Sequence, residues 1–396
     1  MRLALIADVY PPLRSSGAVQ LRDLSLEFVR QGYEVTMLVA SPELKESWKI
    51  EMLNGVQIAR LKTPQTKDIS YVRRTIGELL MPFFMLYQLH KTPLKNPKWD
   101  GVVWYSPTIF LAPIVHALKL FSHCKSYLII RDIFPEWAVD MGLMGKGLPY
   151  RFFKAIANYQ YSVADVIGIQ TAGNQVYFTD RLNKVNKSVE VLQNWLADTP
   201  NRGCKITIAD TSLANRKILV YAGNMGIAQG MGIILNLAVQ LRNRTDIGFI
   251  FVGRGSDAGK LRDEARKNGL SNVLFFDEID PYEIPGLYAQ CHIGLVSLDP
   301  RHKTHNIPGK FLSYMQAGLP VLAAVNPGND IIRLIESEKV GQVCTNNVPE
   351  TLKAKAEELL DALDDDNDFP NRCKSLHAKL FSPDIAVRQI IKALQV

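Results

Sequence analysis

The feature that most constrains the fold is a set of short apolar runs that are continuous rather than alternating. LALIADV (3–9), GVVWYS (101–106), KILVYAG (217–223), IGFIFVG (247–253) and IGLVSL (293–298) each have the length of a strand. Continuous apolar runs are typical of parallel strands buried on both faces, and the helical patterns between them indicate βαβ units. The sequence therefore predicts an α/β protein with two doubly wound parallel sheets.

The strands divide into two groups. The predicted strands are 3–9, 34–41, 56–61, 101–106, 126–131, 166–171 and 188–193 in the first half, and 216–222, 247–253, 272–277, 293–298, 320–325 and 340–345 in the second. Between the groups, segment 194–212 is rich in turn formers, and 396 residues suit two domains. We expect an N-terminal domain at 1–197, a C-terminal domain at 198–376 and a final helical segment at 377–396.

The chain is basic, with 46 Lys and Arg against 39 Asp and Glu. The excess concentrates in residues 45–98, where 10 basic residues face 4 acidic ones. Within this region, 71–91 is mostly apolar with basic ends, too short to span a bilayer but suited to its interface. The sequence therefore predicts an anionic membrane surface as a partner, with a buried helix as the alternative. No nucleic-acid motif is present, and nucleic acid is not an expected partner.

Cysteine usage and the N-terminal run bear on location. The five cysteines are widely spaced without a C-x-x-C pair, which favours a reduced intracellular setting and argues against zinc. Asp8 interrupts the first apolar run, and PPLRSSG follows it, so a folded strand is expected rather than a signal peptide. We expect a cytoplasmic protein, peripheral on the inner face of the cell membrane.

Two turns that follow predicted strands could hold phosphate. In PPLRSSGA, Ser16 and Gly17 open the first helix, where backbone N–H groups and the helix dipole favour an anion. In YAGNMGIAQG, Asn224 and Gly226 lie in the turn, and Gly226 allows the backbone to approach a ligand closely. Ordinary capped turns are the alternative for both.

The segment FVGRGSDAGKL, 251–261, follows another buried strand. Gly253, Gly255 and Ala258 match G-x-G-x-x-G/A, and Asp277 lies where a ribose-binding acid would. This match keeps a nicotinamide-dependent oxidoreductase as an alternative. Arg254 and Lys260 supply cations for a pyrophosphate, unless the segment is simply a solvated loop with two charges.

The segment HNIPGKFLSYMQAGLPVLAA, 305–324, contains a cation in an unfavourable position. Pro308 begins a helix, and Lys310 lies in its first turn, where a positive charge opposes the helix dipole. The position suits a lysine that contacts an anionic ligand at the same helix end. A surface lysine is the alternative.

The segment LIIRDIFPEWAVDMGL, 128–143, places carboxylates directly after a strand. Asp132 or Glu136 could orient or deprotonate a hydroxyl group. The alternative is an Arg–Asp ion pair with an acid that caps a helix.

These motifs together resemble those of the retaining, GT-B-fold glycosyltransferases of family 4, especially bacterial ones that assemble O-antigen or capsule. The resemblance covers nearly the whole chain and is carried by PPLRSSGA, RDIFPE, YAGNMGIAQG, FVGRG and IPGKFLSYMQAGLPV. It implies two Rossmann-like domains facing a cleft, of which the second binds a UDP-linked sugar and the first binds the acceptor. It also implies that the final helix crosses back to the first domain.

The resemblance also implies roles for individual residues. The catalytic candidates are Asp132, Glu136 and Lys310, with Lys310 at the pyrophosphate and the acids near the acceptor. The donor-binding candidates are Ser16, Gly17, Asn224, Gly226, Gly253, Arg254, His305, Pro308, Gly309 and Ser313. No metal and no cofactor are implied. The chain departs from the family where His305 and Ser313 replace a Glu-x7-Glu pair, and where Met225 and Gln229 replace an Arg and a Lys.

The predicted function is therefore transfer of a sugar from a nucleotide diphosphate sugar to a polyprenyl-diphosphate-linked saccharide, with retained anomeric configuration. Helix N-termini and the two cations Arg254 and Lys310 would stabilise the leaving diphosphate. The alternatives are a sugar-nucleotide epimerase of the same architecture, the oxidoreductase, and a non-catalytic two-domain binding protein.

Overall fold

The computed structural model describes residues 1–13, 15–95, 98–178, 188–301, 303 and 305–395. They form two compact units, the first from Met1–Trp195 with Pro383–Val396, the second from Leu196–Ser382. The expected boundary at 197 lies two residues from the observed division. The returning segment begins at Pro383 rather than at 377, because the preceding helix buries Cys373 and Leu376 in the core of the second unit.

The described part of the first unit contains an eight-stranded sheet. Its strands are β1 (Arg2–Ala7), β2 (Glu34–Ala40), β3 (Trp48–Leu53), β4 (Val56–Leu61), β5 (Gly101–Ser106), β6 (Lys125–Ile130), β7 (Val166–Ile169) and β8 (Ser188–Val191). Its helices are α1 (Ser16–Arg30), α2 (Tyr71–His90), α3 (Ala112–Ser122), α4 (Glu136–Asp140), α5 (Leu148–Val163) and the C-terminal helix Pro383–Gln395. The strand order is β3-β4-β2-β1-β5-β6-β7-β8, so the direction of winding reverses between β1 and β5.

One strand of this sheet departs from the predicted parallel arrangement. The sequence prediction omits β3, which pairs antiparallel with β4 at the sheet edge. Asn54 and Gly55 join the two strands with φ angles of 50° and 85°, the positive values that a two-residue hairpin turn needs. The Asn-Gly dipeptide between WKIEML and VQIARL is the sequence signal for this hairpin.

Helices cover both faces of the first sheet. Met81 and Met85 of α2 pack on one face with α3 and α5. On the other face, α1 lies beside the C-terminal helix, which buries Val387 and Ile390 in the same core. The C-terminal helix is therefore part of the first unit.

The described part of the second unit contains a six-stranded parallel sheet of order β11-β10-β9-β12-β13-β14. The strands are β9 (Lys217–Ala222), β10 (Ile247–Val252), β11 (Val273–Phe276), β12 (Ile293–Ser297), β13 (Val321–Ala324) and β14 (Gly341–Cys344). The helices are α6 (Gly232–Gln240), α7 (Ala258–Lys267), α8 (Ile284–Tyr288), α9 (Gly309–Ala317), α10 (Asp330–Ser337), α11 (Pro349–Asp365) and α12 (Phe369–Leu380). Each of the six predicted strands is present, and the predicted fold class of two doubly wound α/β sheets is confirmed.

Among the described helices, none combines the length and the apolar character that crossing a bilayer requires.

Candidate active site

Each sheet has one point where its winding reverses, between β1 and β5 in the first unit and between β9 and β12 in the second. Ligands of open α/β sheets bind outside the carboxyl ends of the strands at such switch points. The predicted residues follow these strands: Ser16 and Gly17 follow β1, Asn224 and Gly226 follow β9, and Lys310 follows β12. Each unit therefore presents one candidate site of its own.

The turn after β9 is held by side chains within it. The Tyr221 hydroxyl donates to the Asn224 carbonyl at 2.6 Å. The side-chain oxygen of Gln229 accepts hydrogen bonds from the Gly226 N–H and the Asn224 side-chain amide, both at 3.1 Å. Met225 is fully buried. Met225 and Gln229, at positions where the family resemblance implies cations, thus build the turn and leave Asn224 exposed.

The loop after β10 packs against this turn, backbone on backbone. Gly253 and Gly255 have φ angles of 139° and 152°, and a Cβ on either would lie only 2.1 or 2.3 Å from a carbonyl oxygen of the turn. The Met225 N–H donates to the Arg254 carbonyl at 2.8 Å. Loop packing therefore explains the G-x-G spacing, and the spacing no longer supports a dinucleotide fingerprint.

Arg254 is at the surface beside an acid. Its guanidinium lies 3.1 Å from the Glu278 carboxylate, and the two side chains are 79% and 51% exposed. Exposed pairs of this kind contribute ~1 kcal/mol or less, so the arginine can exchange its partner for a ligand anion at little cost.

Lys310 is the cation whose surroundings are most unusual. Its side chain is half-buried, and the ammonium lies 4.6 Å from the centroid of the Tyr221 ring. Among the described residues, no carboxylate forms an ion pair with it. Burial lowers the pKa of Lys310 to about 8. It stands in the first turn of α9, where no side chain caps the helix, so the helix end and the lysine both favour an anion.

A buried tyrosine fixes the position of α9. The Tyr314 hydroxyl lies 3.0 Å from the Val220 carbonyl and 3.2 Å from the Leu295 carbonyl, one on each strand of the switch point. Gly294 makes room, because a Cβ there would lie 2.4 Å from the Tyr314 ring. The sequence analysis did not predict Tyr314 or Tyr221 as site residues. In the sequence, the feature that could have identified them is a tyrosine on the buried face of a strand or helix that leads to the site.

The remaining donor candidates lie at the start of α9. His305 is half-buried, Gly309 is exposed, and Pro308 is the residue before the helix. The Ser313 hydroxyl donates to the Gly309 carbonyl at 3.4 Å, so it is engaged by the helix backbone. His305 and Ser313, which replace the Glu-x7-Glu pair, therefore lie within five residues of Lys310 in sequence. Neither adds a negative charge there.

In the first unit, Gly17 brings the start of α1 against β5. A Cβ on Gly17 would lie 3.2 Å from the Tyr105 ring and 3.3 Å from Val9, closer than a larger residue tolerates. The Tyr105 hydroxyl donates to the Gln20 side chain at 2.7 Å. Ser15 caps the helix, and Ser16 is its exposed first residue.

Asp132 and Arg131 reach the same tyrosine. Arg131 is buried, stacks 4.5 Å from the Trp195 ring centroid and donates to the Leu192 carbonyl at 3.0 Å. Burial raises the pKa of Tyr105, against the charge of Arg131 and together with that of Asp132. Asp132 and Gly17 both lie near Tyr105. Asp132 is exposed there, whereas Arg131 is buried beneath the surface.

Glu136 is placed differently. Its carboxylate forms an ion pair with Lys154 and accepts a 3.5 Å hydrogen bond from the Tyr150 hydroxyl. Both partners belong to α5, so the acid ties the start of α4 to that helix.

The structure adds one residue that sequence analysis treated only as a break in an apolar run. Asp8 directly follows β1, and its Oδ1 atom is buried without a hydrogen bond from any described residue. Burial raises the pKa of Asp8 to about 6, with Lys67 acting in the opposite direction. A charged side chain that ends a buried strand at a switch point is the signal that would have identified it.

In the described ranges, no group of three or more His, Cys, Asp or Glu side chains is arranged to hold a metal ion.

Residues 216–362, from β9 into α11, match the family described as glycosyl transferases group 1. This segment is a group 1 glycosyltransferase domain. It contains the turn after β9, the loop after β10 and Lys310. The prediction that the chain is a glycosyltransferase is confirmed.

Two curated bacterial proteins are similar over most of the chain. "Probable glycosyltransferase WbjE" of Pseudomonas aeruginosa is 25% identical over 305 residues, 75% of this chain and 74% of that protein. "Putative colanic acid biosynthesis glycosyl transferase WcaI" of Escherichia coli (strain K12) is 24% identical over 349 residues, 79% of this chain and 78% of that protein.

Solved structures share the fold along the entire chain. WaaG, a glycosyltransferase involved in lipopolysaccharide biosynthesis, has a TM-score of 0.67 at 16% identity and covers 98% of this chain and 99% of its own. Anabaena Alr3699/HepE in complex with UDP-glucose has a TM-score of 0.70 at 14% identity and covers 100% of this chain and 99% of its own. The fold is GT-B, as predicted.

Proposed function

We propose that the chain is a retaining glycosyltransferase of family 4 that transfers a sugar from a UDP-sugar to a polyprenyl-diphosphate-linked saccharide in bacterial surface polysaccharide synthesis. The match to the group 1 family supports this, as do the similarities to WcaI, named for colanic acid biosynthesis, and to WaaG, which is involved in lipopolysaccharide biosynthesis. The UDP-glucose complex of HepE supports a UDP-linked donor.

The observation that carries the proposal is Lys310. A lysine without an ion-pair partner among the described residues, in the first turn of α9 and on the Tyr221 ring, is arranged to receive a diphosphate. As the bond between sugar and diphosphate breaks, negative charge grows on the leaving group. A positioned cation and helix N–H groups stabilise that charge, and Arg254 adds a second cation.

The acceptor is proposed to bind at the first-unit site. Asp132 would hold the attacking hydroxyl, with Asp8 beside the same switch point. The leaving phosphate would take the hydroxyl proton, which allows attack from the side that the diphosphate leaves and so retains the configuration. The chemistry requires no metal, because Lys310 and Arg254 neutralise the diphosphate.

Attachment to a membrane surface is part of the proposal. Along α2, Val72, Ile76 and Tyr87 are exposed, and Arg73 and Arg74 lie near its start. Apolar and basic groups on one helix suit an anionic lipid surface. Sedimentation with anionic vesicles tests this: binding that is lost in added salt and after replacement of Arg73 and Arg74 supports it, and absence of binding contradicts it.

The donor experiment is thermal unfolding of the pure protein with UDP, GDP, UDP-sugars and NAD. A ligand at a hundred times its Kd stabilises by ~2.7 kcal/mol, a readily measured shift. We expect a shift with UDP that is lost in Lys310→Ala and kept in the control Lys267→Ala, an exposed lysine at the last position of α7. A shift with NAD alone, or none, contradicts the proposal. Transfer of labelled sugar from the stabilising donor to a lipid-linked saccharide tests the second half.

A further inference from the structure

An apolar groove of about 390 Å³ lies on the first unit between α2, α3 and α5. Leu79 and Phe83 of α2 form one wall, Phe110 forms the base, and Phe152 and Ile156 of α5 form the other wall. Among the described lining residues the one polar side chain is Tyr159, and its hydroxyl is hydrogen-bonded to His116 Nδ1 at 3.0 Å. The groove thus offers a ligand hydrocarbon contacts and no free polar group.

The walls of the groove are more exposed than large apolar side chains usually are. Leu79, Phe83 and Phe152 are 42%, 54% and 44% exposed. Exposed apolar side chains grouped around one groove gain free energy when an apolar ligand covers them. The helices around it also carry basic residues. Arg74, Lys119 and Lys154 are paired with Glu78, Asp165 and Glu136. Arg73 and Arg151, together with Lys91 next to α2, are exposed and form no ion pair among the described residues.

Packed aromatic rings lie between the groove and the first-unit candidate site. Phe110 belongs to the loop that follows β5, the strand that carries Tyr105. Phe153, next to the groove residue Phe152, packs against Phe110 at 6.4 Å and against Phe134 at 5.1 Å between ring centroids. Phe134 is two residues from Asp132, so one aromatic cluster connects the groove to the proposed acceptor site.

We propose that this groove binds the hydrocarbon chain of the lipid-linked acceptor, so that its charged head and saccharide lie towards Asp132. The inference rests on the proposed function for the identity of the acceptor. The apolar walls fit a prenyl chain, and the exposed Arg73, Lys91 and Arg151 fit the phosphate groups to which that chain is joined. The aromatic cluster lies on the side of Asp132, towards which the head group is proposed to point.

A binding experiment without membranes and without donor tests the groove alone. The probe is a fluorescent ten-carbon prenyl monophosphate below its micelle concentration. We expect Phe83→Ser and Phe152→Ser each to weaken binding about tenfold, since removing two buried methylenes' worth of contact at ~0.8 kcal/mol each corresponds to roughly that factor. The matched control is Phe84→Ser, which changes the neighbouring phenylalanine of α2, 42% exposed and not among the residues that line the groove.

Three results overturn the groove proposal: no binding of the probe, equal binding by all variants, or equal loss in the control. Equal loss would indicate that the helix face contacts lipid as a whole. Because the replaced rings are about half exposed, the variants should keep the wild-type circular dichroism spectrum, which is checked first.

A transfer experiment separates this inference from the proposed function. Acceptors with the same saccharide and increasingly long tails should show KM falling by about fourfold for each methylene that enters the groove. Phe83→Ser should abolish that dependence and leave kcat with a short-tailed acceptor unchanged. Probe binding without transfer to any acceptor contradicts the proposed function, whereas transfer that is independent of tail length contradicts the groove.

Discussion

The pH dependence of UDP binding tests the role of Lys310 most directly. Burial against the Tyr221 ring lowers the pKa of Lys310 to about 8, whereas lysine ordinarily titrates at ~10.4. A diphosphate beside the ammonium favours its charged form, so binding takes up a proton whenever the free lysine is neutral. Affinity should therefore be complete below pH 8 and should fall as pH rises through that value.

The size of the effect follows from the pKa. If only the charged form binds, the apparent Kd is multiplied by the ratio of total to protonated lysine, which changes about tenfold between pH 7 and pH 9, or ~1.4 kcal/mol. Arginine keeps its charge throughout this range, so the Kd of Lys310→Arg should not change through ionisation at position 310. Lys310→Met should bind UDP weakly at pH 7, because no cation meets the diphosphate.

Isothermal titration calorimetry at pH 7, 8 and 9 and constant ionic strength measures both quantities. Buffers of different ionisation enthalpy report proton uptake, which should be about half a proton at pH 8, where the free lysine is half ionised. The arginine variant shares every other group that titrates, including those of UDP. A constant wild-type Kd, or an equal slope in Lys310→Arg, would refute the assignment of Lys310 to the diphosphate.

Three further substitutions have defined outcomes. Gly253→Ala should destabilise the fold by on the order of 1–3 kcal/mol in urea unfolding, because its Cβ would meet the Gly223 carbonyl at a positive φ; an unchanged midpoint contradicts the loop packing. Tyr314→Phe should cost ~1–3 kcal/mol by the same measurement, because buried carbonyls of β9 and β12 lose a donor, and a cost near zero contradicts its anchoring role. The pKa of Asp8 in the folded state, about 6, lies above its ordinary value, so the folded state binds this proton more tightly than the unfolded state does. The free energy of unfolding therefore falls as the pH rises from about 4 to about 6. Asp8→Asn should therefore raise the thermal midpoint at pH 7 and change it little at pH 4; a lowered midpoint at pH 7 would show that the attraction to Lys67 outweighs burial.

The strands could be predicted because burial on both faces leaves an unbroken apolar run. The strand β3 could not be found in that way, because it lies at the sheet edge and most of its residues are exposed or half-buried. Its turn was nevertheless encoded, since Asn54 and Gly55 adopt positive φ angles most readily. Looking for turns as well as for apolar runs would have located it.

The location of the second-unit site was predictable, but its internal contacts were not. A cation at the start of α9 conflicts with the helix dipole, and this local conflict identified Lys310 from sequence. Gly253 and Gly255 matched a ligand-binding fingerprint, yet their spacing serves contact with a turn that lies thirty residues earlier in the chain. Only the register of β9 against β10 reveals that contact.

Lys310 and Asp8 are related by the same physical argument. Each is a charged side chain at the switch point of its own unit, and burial shifts each pKa towards neutrality, to about 8 for the lysine and about 6 for the acid. Such shifts destabilise the folded chain without a ligand, so packing elsewhere must offset them, as Tyr314 does for α9. The opposite signs match the proposed roles, because a diphosphate needs a cation and an acceptor hydroxyl needs an oxygen that accepts its hydrogen bond. A buried charge at the carboxyl end of a switch-point strand is thus stronger evidence for a site in this fold than the glycine pattern beside it.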